Sequence, residues 1–282
     1  MTSAILPHAA GGPRLQTSRR ALAQLPRRVA LVIDEAGRDV ARRPIRFLVS
    51  AVLVASFVFT ALPAIDLAVS SWFAAADGSF PLSHDRLLLA LRDANRLVPQ
   101  ILLPLLAGLL AAEACRPGAM RGLRPHQALY VLLVYALGSG AIVQGLKALV
   151  GRARPRDILA FGGDSLFTAP WQIAGQCARN CSFPSGEAGS GMALLALAML
   201  LPPARRRLGV ALLAGPAIAV SVNRIAFGAH FLSDVVMSWL LVALVLVAAH
   251  RLSARYGAAF DRAFVDGAGA LRARLSQRGI RA

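Results

Sequence analysis

Six apolar stretches, each near the length needed to cross a bilayer, constrain this chain more than any other feature of its sequence. A hydrocarbon core about 30 Å thick takes roughly 20 helical residues to span. The stretches fall at Phe47–Ile65, Val98–Ala114, Ala128–Leu146, Gly186–Pro203, Leu208–Phe227 and Phe231–Ala249. The fourth is rich in Gly and Ala and the fifth ends with Asn223 and Arg224. Both fit a membrane if small residues pack closely and polar ones face a protein interior. With 56% hydrophobic and 16% charged residues, the chain is too apolar for an ordinary soluble domain. The expected fold class is an all-α polytopic membrane protein, a six-helix bundle.

The formal charge of +17 would suit a nucleic-acid binder, but the basic residues form no patch with interleaved aromatics. They sit between the apolar runs, which makes their pattern topological. The N-terminal 46 residues, the 115–126 and 202–208 connections and the C-terminal tail hold 22 of them, against nine in 66–97, 147–185 and the turn at Arg224. Cytoplasmic connections carry the excess of Lys and Arg, so both termini are expected in the cytoplasm. No cleavable signal peptide is read before the first span, which should act as an uncleaved anchor. The expected organisation is a basic cytoplasmic segment over 1–46, one membrane domain over 47–250 and a cytoplasmic tail over 251–282. The segment "SRRALAQLPRRVALVIDEAGRDVARRPIR" fits either an amphipathic helix on an anionic leaflet or a solvated tail.

Among the connections, 66–97 stands out. A turn, "SSWFAAADGSF", precedes the amphipathic "LSHDRLLLALRDANRL", expected as a helix in the outer interface with Trp72 and Phe73 at that depth. Cys115 falls at the cytoplasmic end of the second span, while Cys177 and Cys181, in "CARNC", fall on the opposite side. A disulfide between those two would tie down the following loop in an oxidising periplasm. Sequence alone leaves the bridged and free forms both open, because a disulfide requires a specific geometry. No second pair of soft ligands accompanies them, so a zinc site is not expected.

Three segments carry candidate chemistry. In "GLKALVGRARPRD" Lys147 is the single lysine of the chain; with Arg154 it could hold one anion from two directions, a point charge beside a planar fork. A snorkelling pair at a helix end is the plainer reading. In "CSFPSGEAG", Pro184-Ser185-Gly186 opens a helix whose free N–H groups and dipole favour an anion, with Gly186 letting the main chain come close. In "NRIAFGAHFLSDVV", Arg224 offers another fork, and His230 and Asp234 stand four residues apart, the spacing of one helical face. A carboxylate so placed can fix the ring tautomer and leave the other nitrogen free to attack. His8, His84, His126 and His250 are read as structural. All three segments fall at outer-side helix ends by the arginine distribution, and convergent cations, a helix N-terminus and an oriented histidine make a phosphoryl-transfer site.

These segments resemble the three-part signature of the type 2 phosphatidic acid phosphatase superfamily, which includes bacterial acid phosphatases and vanadium haloperoxidases: K-x6-R-P, P-S-G-H and S-R-x5-H-x3-D. Lys147, Arg154 and Pro155 match the first part; Pro184, Ser185 and Gly186 match three positions of the second; Arg224, His230 and Asp234 match the third, with Asn223 in place of its serine. The resemblance implies a bundle of the phosphatidic acid phosphatase and haloperoxidase type with His230 as the nucleophile, forming a phosphohistidine, and Asp234 orienting it. It also implies that Lys147, Arg154, Arg224, Ser185 and the Gly186 amide hold the phosphoryl oxygens. No metal or other cofactor is implied; the cation cluster supplies the compensating charge.

Glu187 stands where the signature has a histidine thought to protonate the leaving group. A carboxylic acid can do that work if an apolar lipid-facing wall or the dianionic substrate keeps it partly protonated, and it is expected to be the general acid; an inactive relic is the competing reading. "CSFPSGEA" and "GAHFLSD" further resemble lipid A 1-phosphatase-like proteins of Gram-negative bacteria. That implies an inner-membrane lipid phosphatase acting on an anomeric phosphate at the periplasmic face, with the bilayer and a lipid phosphate as partners. Undecaprenyl pyrophosphate, phosphatidylglycerophosphate and phosphatidate phosphatases, a lipid phosphotransferase, and a noncatalytic lipid-binding or transport protein are the alternatives. A soluble haloperoxidase is disfavoured.

Overall fold

A computed structural model describes residues 42–277, and among these the chain is helical, with one isolated bridge between Ile158 and Ser165 and no strand. The basic N-terminal segment lies almost wholly outside the described residues. The chain divides at Phe47 into a short N-terminal unit and a large one, Leu48–Ala282.

The helices are α1 (Pro44–Ala61), α2 (Ala64–Ser71), α3 (Arg86–Cys115), α4, α5 (Gly186–Ala193, drawn out by a tighter 3-10 turn over Leu194–Leu200), α6 (Arg206–Ala226) and α7 (Leu232–Gln277). Helix α4 is built from Pro125–Leu133, a wider π-helical stretch Val134–Ile142 and Val143–Val150. Among the described residues, five helical stretches are long and apolar enough to cross a membrane: Pro44–Ala61, Arg86–Cys115, Pro125–Asp157, Pro203–Ala226 and Leu232–Arg274. The fourth expected span is the shorter apolar Gly186–Leu200. Outward faces carry Leu53, Phe57, Ile101 and Leu212, each 64–73% exposed, an apolar surface suited to lipid rather than water.

The short α5 sits inside the bundle because its sequence is small. A Cβ added to Gly189 would touch the Val143, Val242 and Ser238 side chains, and one added to Gly191 would stand 3.5 Å from the Ala217 backbone, so these glycines give the close approach that small residues permit between membrane helices. Val131, Val134 and Val143 of α4, Ala193 at the end of α5, Ala196 just beyond it and Val242 of α7 form the core, each fully shielded.

Two sequence expectations change here. The amphipathic segment after residue 82 is not a separate interfacial helix. Asp85 caps it, accepting from the Leu88 N–H at 2.9 Å, and it continues into the second span as one 30-residue helix. The segment 251–277 likewise is not a tail apart from the last span, because α7 runs on through it. It is held there by Asp261, which accepts from the His126 backbone N–H at 2.9 Å and meets the His126 ring at 2.8 Å, and by Arg272 Nη1, which donates to the Ala114 carbonyl at 2.6 Å.

Candidate active site

One end of the bundle gathers the beginning of α3, the end of α4, the start of α5, the end of α6 and the start of α7. Between them lies a cavity of about 310 Å³ whose wall includes Lys147, Arg154, Gly186, Glu187, Arg224 and His230. Residues from all three sequence segments therefore meet at one place, although 83 positions separate Lys147 from His230.

Local chemistry explains each placement. Helix α4 ends where Gly151 takes the left-handed conformation (φ +61°), the usual helix stop, and Lys147 lies in its last turn. Arg154 follows in the loop, donating from Nε and Nη2 to the Asn180 carbonyl at 3.2 and 2.7 Å. Cys177 and Cys181 are joined as a disulfide, with Cα atoms 5.5 Å apart, and so bracket the residue that steadies Arg154. Ser185 caps α5, its hydroxyl oxygen accepting from the Ala188 N–H at 3.3 Å. It is fully buried, so Gly186 and Glu187 rather than Ser185 form the cavity wall.

Helix α6 stops at Gly228, which has φ +58°. The Ala229 and His230 N–H groups then both donate to the Arg224 carbonyl at 3.2 Å, which aims the imidazole back at the cavity. A Cβ on Gly228 would stand 2.5 Å from the Phe80 ring. Gly228→Ala is therefore expected to destabilise the protein by about 1–3 kcal/mol and to displace His230, seen as a lower thermal midpoint in detergent. An unchanged midpoint would show that the turn tolerates a side chain.

The His230 ring is 2% exposed. Its Nδ1 lies 2.8 Å from the Ser182 carbonyl oxygen; that oxygen only accepts, so Nδ1 carries the proton and Nε2 is the nitrogen with a free lone pair. Burial, reinforced by the Lys147 and Arg224 charges and opposed by Asp234, lowers its pKa to about 3. The ring is consequently neutral at physiological pH. Asp234 does not make the expected direct bond: its Oδ2 is 3.7 Å from Nδ1. The four-residue spacing fails as a same-face argument because α7 begins at Leu232, leaving His230 outside the helix. Asp234 instead accepts from Ser182 Oγ at 2.5 Å and from the Phe231 N–H at 2.8 Å. It thus fixes the very residue whose carbonyl holds the ring.

Behind this layer lies a buried charge network that the sequence did not reveal. Arg152, Asp66 and Asp234 are all fully shielded. The Arg152 guanidinium donates to Asp234 Oδ1 at 2.6 Å, Asp66 Oδ2 at 2.9 Å, Ser233 Oγ at 2.8 Å and the Thr168 carbonyl at 2.7 Å. The Phe231 ring lies 4.2 Å from its central carbon. Asp66 accepts in turn from the Ser233 N–H at 2.9 Å. Burial pushes the Asp66 carboxyl up while the Arg152 charge pulls it back.

Glu187 is not walled by apolar side chains. Its carboxylate pairs with Arg96 of α3, whose Nε is 2.5 Å away, and with Arg224. Arg224 is only 4% exposed, yet among the described residues its Nη1 has no hydrogen-bond partner. Buried donors are normally satisfied, so an unpaired guanidinium nitrogen beside Lys147 and Arg154 is a place for an anionic oxygen.

The PAP2 superfamily profile matches residues 127–257. A lipid A 4'-phosphatase from Rhizobium leguminosarum is 34% identical over an alignment of 205 residues that covers 68% of this chain and 88% of that protein. The chain belongs to the PAP2 superfamily. A lipid A 4'-phosphatase from Rhizobium etli is 38% identical over 120 residues, 40% of this chain and 47% of its own length. One from Francisella tularensis subsp. novicida is 34% identical over 116 residues, 40% of this chain and 52% of its own length. A transmembrane PAP2-type phosphatidylglycerolphosphate phosphatase from Bacillus subtilis superposes with a TM-score of 0.50 at 19% identity, covering 76% of this chain and 96% of that one; the two share a fold.

Within this PAP2 chain the three signature segments are brought together as expected from the resemblance, but these relatives are named for the 4'-phosphate of lipid A. The coarser part of the resemblance, a PAP2 phosphatase with relatives named for lipid A, stands; none of these three relatives is named as a 1-phosphatase. Arg96, Asn95, Arg152 and Asp66 are the site and support residues that the motifs did not mark. Arg152 stands inside the first motif, two residues before Arg154, and the only signal for it was a further arginine among apolar neighbours.

Proposed function

We propose that this protein is an inner-membrane lipid phosphatase that removes a phosphate monoester from the sugar head group of a lipid A-type molecule at the periplasmic face, with both termini in the cytoplasm. The observation that carries the reading is the His230 ring, its Nδ1 held by the Ser182 carbonyl so that Nε2 is left free, at a cavity containing Lys147, Arg154 and Arg224, whose Nη1 has no partner among the described residues. The names of the relatives support the 4' position. An ester there has an ordinary secondary alcohol as its leaving group, a poorer one than an anomeric oxygen, and so demands a proton donor.

In this mechanism the phosphate occupies Lys147, Arg154, Arg224 and the Gly186 amide. Nε2 of His230 forms the P–N bond as the P–O bond to the sugar breaks, and Glu187 gives its proton to the departing oxygen. Water then attacks phosphorus, returns a proton to Glu187 and releases inorganic phosphate with the imidazole restored. A dianion that takes over the guanidinium of Arg224 releases the Glu187 carboxyl from that pair and leaves it free to face the departing oxygen.

Purified protein is to be assayed for phosphate release from lipid A, undecaprenyl pyrophosphate, phosphatidylglycerophosphate and phosphatidic acid, with His230→Ala as control. Release from lipid A with loss of the 4'-phosphate, abolished in His230→Ala, is the expected result. Turnover that survives the substitution would remove His230 as nucleophile, and release from none of the lipids would leave a noncatalytic lipid-binding protein.

A further inference from the structure

The cavity does not end at its cations. Gln100 lies four residues beyond Arg96, Ser190 three beyond Glu187, and Gln144 three before Lys147, each one turn farther from the bundle end on the same helical face. With Asn95 and Ser139 they complete a wall without a single charge. Asn95 and Ser190 are 4% and 9% exposed; among the described residues Asn95 Oδ1 has no hydrogen-bond partner, and the Ser190 hydroxyl lies beside that of Tyr135. The Asn95 amide is already fixed from its other side, Nδ2 donating to the Glu187 carbonyl at 3.2 Å.

An uncharged set of amides and hydroxyls does not attract a second anion. It offers donors and acceptors together, and that combination matches alcohol and amide groups, which also both give and receive hydrogen bonds. Orphaned buried polar atoms call for such a partner. The position matters as much as the chemistry. Glu187 lies at the junction of the cationic and neutral parts, so a group that receives its proton has the neutral part beside it.

We propose that Asn95, Gln100, Ser139, Gln144 and Ser190 form the leaving-group subsite and bind the hydroxyl- and amide-bearing sugar ring that the phosphate esterifies. This rests on the phosphatase reading above and adds to it the residues that favour a hydroxyl- and amide-bearing sugar over an aromatic alcohol.

The test compares kcat/KM for a monophosphorylated acylated glucosamine and for p-nitrophenyl phosphate, measured on the same detergent-solubilised preparations so that the fraction of active protein cancels in the ratio. In Gln100→Leu and Ser190→Ala, the sugar substrate is expected to lose about tenfold each, chiefly through KM, as lost hydrogen bonds in a polar site do. The p-nitrophenyl phosphate rate should stay within about twofold. An equal loss on both substrates, or an unchanged sugar rate, would overturn the subsite and make the annex a water-filled space. Failure of wild-type protein to hydrolyse either compound would instead overturn the phosphatase reading and the subsite with it.

Discussion

Arg152→Ala is expected to be the most damaging single substitution in the protein, costing about 3–5 kcal/mol of stability and with it the phosphate-releasing activity. The guanidinium serves four acceptors at once, two of them the buried carboxylates of Asp66 and Asp234. Removing it leaves two acidic groups in a space that water does not reach. Truncating one partner of a buried pair strands the other, which explains why the loss exceeds the net value of the pair. Arg152→Lys keeps the charge but replaces a planar fork by a point donor, so it should recover only part of the stability. Thermal unfolding in detergent reads both variants. Wild-type stability in Arg152→Ala would mean that Asp66 and Asp234 need no cation between them.

The second large effect is expected at Glu187. Glu187→Gln should slow turnover of a lipid sugar phosphate by about 10²–10⁴, the usual contribution of a positioned proton donor, while p-nitrophenyl phosphate, whose leaving group departs without protonation, slows far less. The amide also releases the two guanidiniums of Arg96 and Arg224 that now hold the carboxylate, so tighter binding of inorganic phosphate should accompany the slower chemistry. A uniform slowing of both substrates would assign Glu187 to holding the arginines rather than to moving a proton.

Much of the architecture could be read from the chain. Apolar length marked the spans, and the phosphate-directed segments were legible because each combines a cation or turn with a helix end whose position along the chain is readable. Boundaries were less so. Arg92, Asp93 and Arg96 break the hydropathy at the start of α3, and this made one helix look like two and hid Asn95 and Arg96 from the site. Arg152 and Asp66 pair across 86 residues, and no local spacing encodes such a meeting. The relation of His230 to Asp234 was misjudged for a different reason. Their separation fits a helical face, but the imidazole precedes the first turn, so its hydrogen bond goes to a carbonyl from another segment.

Helix α7 contains 46 residues and no proline. At 1.5 Å per residue it is about 69 Å long, more than twice the roughly 30 Å hydrocarbon thickness. Sharp kinks in helices usually need a proline or an inserted group. The turn that carries Asp234 and the distant stretch clasped to His126 through Asp261 therefore belong to one unbroken helix that outruns the hydrocarbon layer.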